Sequence, residues 1–284
     1  MKKILFPFEL DNPLYKEAYI HAIKFARRIN AELIILNTFK VEVGDDITRP
    51  QYENLKKENW FKAYNEVSKF NSYYLHDHVN MESDLKIKFS YRFIHGIFMD
   101  EIRSIAREED VDLIVLPVSD QKAFNKRQLK IIRDNIYENN RASLLVVPFH
   151  GVFKPIKNIV FAADLKLTDF RLYLNDIIHY AKLFDSNIHF LHVASNDKDV
   201  KWEGTEEHQI IIKIMENNPR HVASKVFGKN IVATVNQYVD QINANLLVVV
   251  KQQHYFLNTL FHESVSNKIT FSSKVPVLVM REKR

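Results

Sequence analysis

The chain has 284 residues, 46% of them hydrophobic and 26% charged, with a formal net charge of +5. This composition is typical of a globular protein long enough for two domains. It contains no cysteine, which excludes disulfides, thiolate metal sites and a cysteine nucleophile. We expect no membrane span, because no apolar run approaches roughly 18 residues, and no nucleic-acid partner, because neither half carries a domain-wide basic field. A cytoplasmic location fits these features.

The first half predicts five strands that alternate with helices. The apolar runs that predict strands lie at about 2–8, 33–39, 85–91, 111–117 and 143–148. Asn12 and Pro13 supply a helix cap and a first-turn proline, and an apolar stripe then continues to Ile29. The strand, helix and strand that result form a βαβ unit, so we expect parallel strands.

An insertion near 45–80 distinguishes the first half from the second. Gln51 to Tyr74 is typical of a long helix, and four aromatic residues lie along it: Trp60, Phe61, Tyr64 and Phe70. They are too many for a free solvated helix, so we expect them to pack on the first domain. A surface for an unknown protein partner is the alternative.

A second, basic helix is predicted between the fourth and fifth strands. Its positive residues are Lys122, Lys126, Arg127, Lys130 and Arg133. A solvated helix face is the interpretation we favour, and an anion or partner site is the alternative.

The second half repeats the order of the first. Residues 2–38 align with 157–193 at an offset of 155, and Leu144–Val147 aligns with Val277–Met280 at an offset of 133. The predicted strands are 157–163, 187–193, 222–227, 245–250 and 275–280, and the helices are 168–184, 205–217, 230–243 and one that runs through Val265. We therefore predict two doubly wound α/β domains with parallel five-stranded sheets, 1–150 and 151–284.

The last unit carries a family resemblance. An apolar strand, Asn245 to Val250, precedes a polar loop, a helix and the strand Val275-Pro-Val-Leu-Val-Met280. This framework resembles the C-terminal half of a universal stress protein domain, and the repeat extends the resemblance over almost the whole chain. It implies the adenine nucleotide alpha hydrolase-like fold. It also implies antiparallel pairing of the two fifth strands, so that the repeats pack as a pseudo-dimer within one chain, and it allows homo-oligomers.

The glycines of the family's ATP loop are missing here. With Ser264 at the family's Ser/Thr position, the three glycine positions fall on Val250, Gln253 and Glu263. Glycine suits such loops because its backbone N–H groups can approach phosphate closely. No two of the five glycines in this chain are close enough to form such a loop, a P-loop or a Rossmann fingerprint.

The resemblance nevertheless implies a set of candidate nucleotide contacts in the second repeat. Asp164 stands where the family's acidic residue contacts adenine, and Val193 where a valine lines the base pocket. The other candidates lie at or after the end of the strand predicted at 245–250: Val250, Gln253, Ser264 and Val265. Glu9 is the acidic counterpart of Asp164 in the first repeat. Asp164 is equally well interpreted as a cap of the helix near Thr168.

No catalytic residues can be assigned from the sequence. The twelve histidines form no pattern typical of metal ligands, and no nucleophile, base and orienting group can be assembled. We therefore expect a non-enzymatic, stress-related binding or regulatory protein with degenerate nucleotide loops and no cofactor. The alternative is an ATP-binding switch or weak ATPase that uses a remodelled site in the second repeat.

Overall fold

The computed structural model describes residues 2–9, 12, 15–41, 46–78, 87–118, 142–149, 151–162, 170–194, 203–251 and 265–281. Within them the strands are β1 (Lys3–Pro7), β2 (Glu32–Phe39), β3 (Phe89–His95), β4 (Leu113–Val118), β5 (Ser143–Pro148), β6 (Asn158–Ala162), β7 (Asn187–Ala194), β8 (Val222–Phe227), β9 (Leu246–Lys251) and β10 (Val277–Arg281). The helices are α1 (Tyr15–Ile29), α2 (Arg49–His78), α3 (Phe98–Glu108), α4 (Phe170–Phe184), α5 (Glu206–Asn217), α6 (Ile231–Gln241) and α7 (Val265–Ser272). In this part of the chain, no helix combines the length and the hydropathy needed to cross a membrane.

The described residues up to Pro117 form one compact unit. Its strands lie in the order β3, β2, β1, β4, and the pairs are parallel. Ile4 pairs with Leu33 on one side and with Leu113 on the other. All three are fully buried, as expected for a parallel sheet covered by helices on both faces.

The described residues from Ser143 onward belong to the second compact unit. Its strand order is β5, β10, β9, β6, β7, β8, with β5 antiparallel to β10 and the other pairs parallel. The prediction that the fifth strands pair antiparallel is confirmed, since Leu278 lies opposite Leu145. Packing of the repeats as a pseudo-dimer and the division between 150 and 151 stay predictions.

Most predicted elements are present, with shifts at their ends. The strand β3 begins at Phe89, about four residues after the predicted start at 85. The last helix begins at Val265, and α2 extends four residues beyond Tyr74. The basic helix predicted around Lys122 to Arg133 lies outside the described residues. The α/β class and the parallel strands of both repeats are confirmed.

The same turn follows four of the helices. Four residues within two positions of a helix end have φ between 50° and 53°. They are Asn30 after α1, Asp110 after α3, Asp185 after α4 and Asn243 after α6. At the first of these turns, Ala31 N–H donates to Ala26 O at 2.9 Å, and at the third Ser186 N–H donates to Ala181 O at 2.8 Å. Asparagine and aspartate tolerate this left-handed conformation better than other non-glycine residues. The repeat therefore extends to individual turns, which use Asn or Asp where glycine is commoner.

Helix α2 begins with one half of a capping box, in which the Gln51 side chain reaches back to Thr48. The side-chain Oε1 of Gln51 accepts hydrogen bonds from Thr48 N at 2.9 Å and from Thr48 Oγ1 at 2.7 Å. This arrangement satisfies donors that the first turn of a helix leaves open. Pro50 also fits here, because the first turn does not need its backbone N–H.

One face of α2 packs on the first unit. Ala63 and Val67 are buried, and the Phe70 ring lies 4.6 Å from the ring of Phe8 and 5.2 Å from that of Tyr19. The predicted packing of α2 is therefore present for Phe70. It is incomplete for the other aromatics, since Trp60, Tyr64 and Phe61 keep 37%, 41% and 60% of their surface exposed.

Replacing Asn71 with alanine should destabilise the docking of α2. The buried Asn71 amide accepts a hydrogen bond from Tyr19 Oη and donates one to Tyr91 Oη at 2.5 Å. We expect the free energy of unfolding to fall by about 1–3 kcal/mol, because the buried Tyr19 hydroxyl and the half-buried Tyr91 hydroxyl both lose a partner. Urea denaturation would measure this, with Asn65→Ala on the exposed face of the same helix as control. A loss equal to that of the control would contradict the role of Asn71.

Candidate functional site

The candidate site lies at the carboxyl edge of the second unit's parallel strands. Ala162, the last residue of β6, pairs with Leu191 of β7 and with Val249 of β9. The chain therefore leaves three adjacent strands at the same edge of the sheet. Crevices outside the carboxyl ends of such strands are where open α/β sheets bind ligands.

The structure brings two of the sequence-predicted contacts to this edge. Val193 lies near the end of β7 and is half-buried, and Val250 lies near the end of β9. Val265 is the first residue of α7. Asp164, Gln253 and Ser264 lie outside the described residues, so their predicted contacts stay predictions.

Val250 is part of the sheet rather than of a loop. It pairs with Met280 of β10 and is 8% exposed. Its side chain therefore packs in the core at the position where the resemblance places the first glycine of a phosphate loop. A buried β-branched side chain at this point prevents the close backbone approach that glycine would allow.

Two of the five glycines allow a helix to pack closely on the end of a strand. Gly96 follows β3 and Gly228 follows β8, so they occupy equivalent positions in the two repeats. Their backbone N–H groups donate to Phe39 O at 3.3 Å and to Ala194 O at 3.0 Å. A Cβ atom at Gly228 would collide with the side chain of Thr234. Glycine is used here where a helix approaches the turn closely.

In the first unit the corresponding edge is occupied by its own side chains. Asn12 Nδ2 donates to Glu9 Oε2 at 3.1 Å, so the acidic residue equivalent to Asp164 is engaged within the loop. Asn37 Nδ2 donates to the backbone oxygen of Phe8 at 2.8 Å, and the Phe70 ring packs on the Phe8 ring. The inserted helix thus covers the end of β1 beside Glu9.

A polar cluster that the sequence did not indicate lies between β7, β8 and α6. Tyr238 Oη is 2.8 Å from Ser224 Oγ and 3.3 Å from His189 Nδ1. His221 Nδ1 accepts from Ile188 N at 3.2 Å, and its Nε2 lies 3.2 Å from Asn218 Nδ2. The pairing of β7 with β8 brings His189 close to Ser224, and α6 adds Tyr238 to them.

Burial lowers the pKa of both histidines of this cluster. Desolvation lowers the pKa of His189 below its ordinary value. The pKa of His221 is lowered by desolvation and then by the positive charge of Arg220. Neutral imidazoles bonded to a buried tyrosine and to backbone N–H stabilise the packing of β7 and β8.

The described residues contain no group of three histidine, cysteine, aspartate or glutamate side chains that could hold a metal ion. In the polar cluster the Tyr238 hydroxyl lies between Ser224 and His189. The cluster lies beneath α6 and not at the carboxyl edge of the strands. The absence of enzymatic activity stays a prediction.

Comparison with known proteins gives a family for the second repeat and a fold for the whole chain. Residues 155–281 match the model of the Universal stress protein family. A universal stress protein from Archaeoglobus fulgidus DSM 4304 superimposes with a TM-score of 0.69 at 17% identity, covering 98% of each chain. A functionally unknown protein from Pseudomonas aeruginosa PAO1 gives a TM-score of 0.61 at 12% identity, covering 99% of this chain and 92% of its own. No curated protein matches the chain.

Proposed function

We propose, from the match of residues 155–281 to the Universal stress protein family, that the chain is a non-enzymatic, cytoplasmic binding or regulatory protein whose nucleotide loops are degenerate. The proposal rests chiefly on Val250, which fills the first glycine position with a side chain buried beside β10. The engagement of Glu9 by Asn12 in the first repeat supports it further. The function would be exerted through the partners of the protein, with the repeats acting as a pseudo-dimer and the chain free to form homo-oligomers.

The loss of the glycines should weaken nucleotide binding strongly. A glycine loop offers several backbone N–H donors to a triphosphate, and each charge-assisted bond contributes roughly 1.5–3 kcal/mol. Val250, Gln253 and Glu263 replace these glycines, so the loss amounts to several kcal/mol, and Glu263 adds a like charge. Since about 1.4 kcal/mol is a tenfold change, micromolar affinity would fall to millimolar.

We therefore expect no ATP or ADP affinity tighter than about 1 mM. Isothermal titration calorimetry of the full chain with each nucleotide would measure it. Stoichiometric micromolar binding that Asp164→Ala or Ser264→Ala abolishes would overturn the proposal. That result would favour the alternative function, an ATP-binding switch or weak ATPase that uses a remodelled site in the second repeat. Glu9→Ala serves as the matched control in the first repeat.

A further inference from the structure

An aromatic groove lies on the first unit between α2 and the ends of β2 and β3. We call it the α2 groove, and it encloses about 210 Å³. The side chains that line it are Phe39, Phe93 and His95 from the strands and Glu53, Lys56, Lys57, Trp60 and Phe61 from the helix. It does not include the nucleotide loop positions, and no residue of the second repeat lines it.

The walls of the α2 groove are held in place by ring contacts. The Trp60 ring is stacked on Tyr64 with centroids 5.5 Å apart and planes 3° apart, and it meets Phe93 edge-on at 5.6 Å. On the other side, Tyr52 Oη lies 3.4 Å from His95 Nε2, and the His95 ring contacts Phe39 at 5.8 Å. The groove is therefore preformed, which lowers the entropic cost of binding.

The exposure of these aromatics needs an explanation. Trp60 and Phe61 are adjacent and keep 37% and 60% of their surface exposed, although Ala63 and Val67 further along α2 are buried. Aromatic side chains gathered on a concave surface are typical of ligand sites, where ring stacking supplies much of the affinity. The volume is below the roughly 300–1,000 Å³ of drug-sized pockets, so one or two fused rings fit better than a nucleotide.

The charges at the rim favour an anion. Lys56 and Lys57 precede Trp60 and Phe61 by one helical turn, so each lysine stands on the same side of α2 as one of these aromatic residues, and both lysines line the groove. Among the described residues neither lysine forms an ion pair, whereas Lys69 on the same helix pairs with Glu66 at 3.3 Å. Glu53 contributes one negative charge to the lining, so the two lysines leave the site net positive.

We propose that the α2 groove binds a small planar aromatic carboxylate, with the ring between the wall of Trp60 and Phe93 and the wall of Phe39 and His95, and with the carboxylate at Lys56 and Lys57. Stacking on the rings would fix the plane of the ligand. The lysines would select the anionic form over neutral and cationic aromatic compounds.

Three probes of the same shape test the charge preference. The full chain would be titrated with 1-naphthoate, neutral 1-naphthamide and cationic 1-naphthylmethylamine. The readout is the indole N–H signal of Trp60 in ¹H–¹⁵N spectra, identified by its loss in Trp60→Phe. We expect 1-naphthoate to bind at least about fivefold more tightly than the amide, and the amine to bind most weakly. Equal affinities, tightest binding of the amine, or no shift of the Trp60 signal with millimolar naphthoate would overturn the proposal.

Two variants separate the role of the lysines from that of the rings. In Lys56→Gln/Lys57→Gln we expect naphthoate affinity to fall to that of the amide, while the amide binds as before. Lys62→Gln/Lys69→Gln removes the same charge from exposed positions of α2 outside the groove and should leave all three affinities unchanged. Phe61→Ala should weaken all probes by a similar factor. An equal loss of naphthoate binding in the two double variants would contradict a specific site.

Discussion

Replacing Phe6 with alanine should lower the free energy of unfolding by about 3–5 kcal/mol. Phe6 is fully buried in β1, and its ring contacts Tyr19 at 5.2 Å, Tyr15 at 5.9 Å and Phe8 at 6.1 Å. The substitution removes a large apolar side chain and leaves a cavity that the sheet cannot close. The loss should be visible as an earlier midpoint in guanidinium denaturation followed by circular dichroism.

Phe61→Ala is the matched control for this experiment. It makes the same chemical change at a position that is 60% exposed, so we expect a change within about 0.5 kcal/mol. A loss below about 1 kcal/mol for Phe6→Ala would mean that the aromatic core between β1 and α1 is not packed as described.

Acidification should destabilise the first unit through His21. This side chain is 3% exposed in α1, its Nδ1 lies 2.8 Å from Glu17 O, and desolvation lowers its pKa from 6.5 to about 4. The unfolded chain binds a proton on this histidine at a higher pH than the folded chain does. The stabilisation that comes from the neutral His21 is therefore fully present above pH 6.5 and is lost as the pH falls towards 4. The loss from this residue reaches about 3 kcal/mol, at about 1.36 kcal/mol per pH unit.

The His21→Gln variant should lack this part of the pH dependence. Urea unfolding at pH 7 and at pH 4 would give the difference for parent and variant, with His179→Gln, an exposed histidine of α4, as control. His189 and His221 act in the same direction, since their pKa values are also lowered. A residual slope is therefore expected in His21→Gln, and an unchanged slope would contradict the burial of a neutral His21.

The strands could be predicted from the sequence because their signal is local. Leu246 to Val250 is a continuous apolar run, which is what a strand buried on both faces requires. The internal repeat supported the prediction of each aligned strand and helix a second time, from the matching residues in the other half. The antiparallel pair of β5 and β10 was predicted from the resemblance, and no local pattern in Leu144–Val147 would have given the direction of pairing.

Other features depend on contacts that sequence patterns do not reveal. β3 begins at Phe89 rather than near 85, because its alternation of polar and aromatic residues gives a weak boundary signal. Asn71 reads as a polar surface residue, yet it is buried because Tyr19 and Tyr91 satisfy its amide. The exposure of Trp60 and Phe61 likewise follows from which face of α2 meets the sheet, and helical spacing alone leaves that choice open.

The sequence predicted the position of the candidate site in the fold but not its side-chain contacts. In the structure Val193 and Val250 lie near the ends of β7 and β9, the two parallel neighbours of β6, and their predicted nucleotide contacts stay predictions. The polar cluster of Ser224, Tyr238 and His189 went unnoticed, because cross-strand neighbours on one face are set by register.

The pairing of β5 with β10 also determines how the protein responds to dilution. If the two repeats were separate chains, this ladder would form only above the dissociation constant of a dimer. Here one chain carries both strands, so their pairing is intramolecular and does not depend on the protein concentration. Leu145 and Leu278 therefore stay opposite each other at any protein concentration. The edge of β10 is therefore paired without the need for a second copy of the chain.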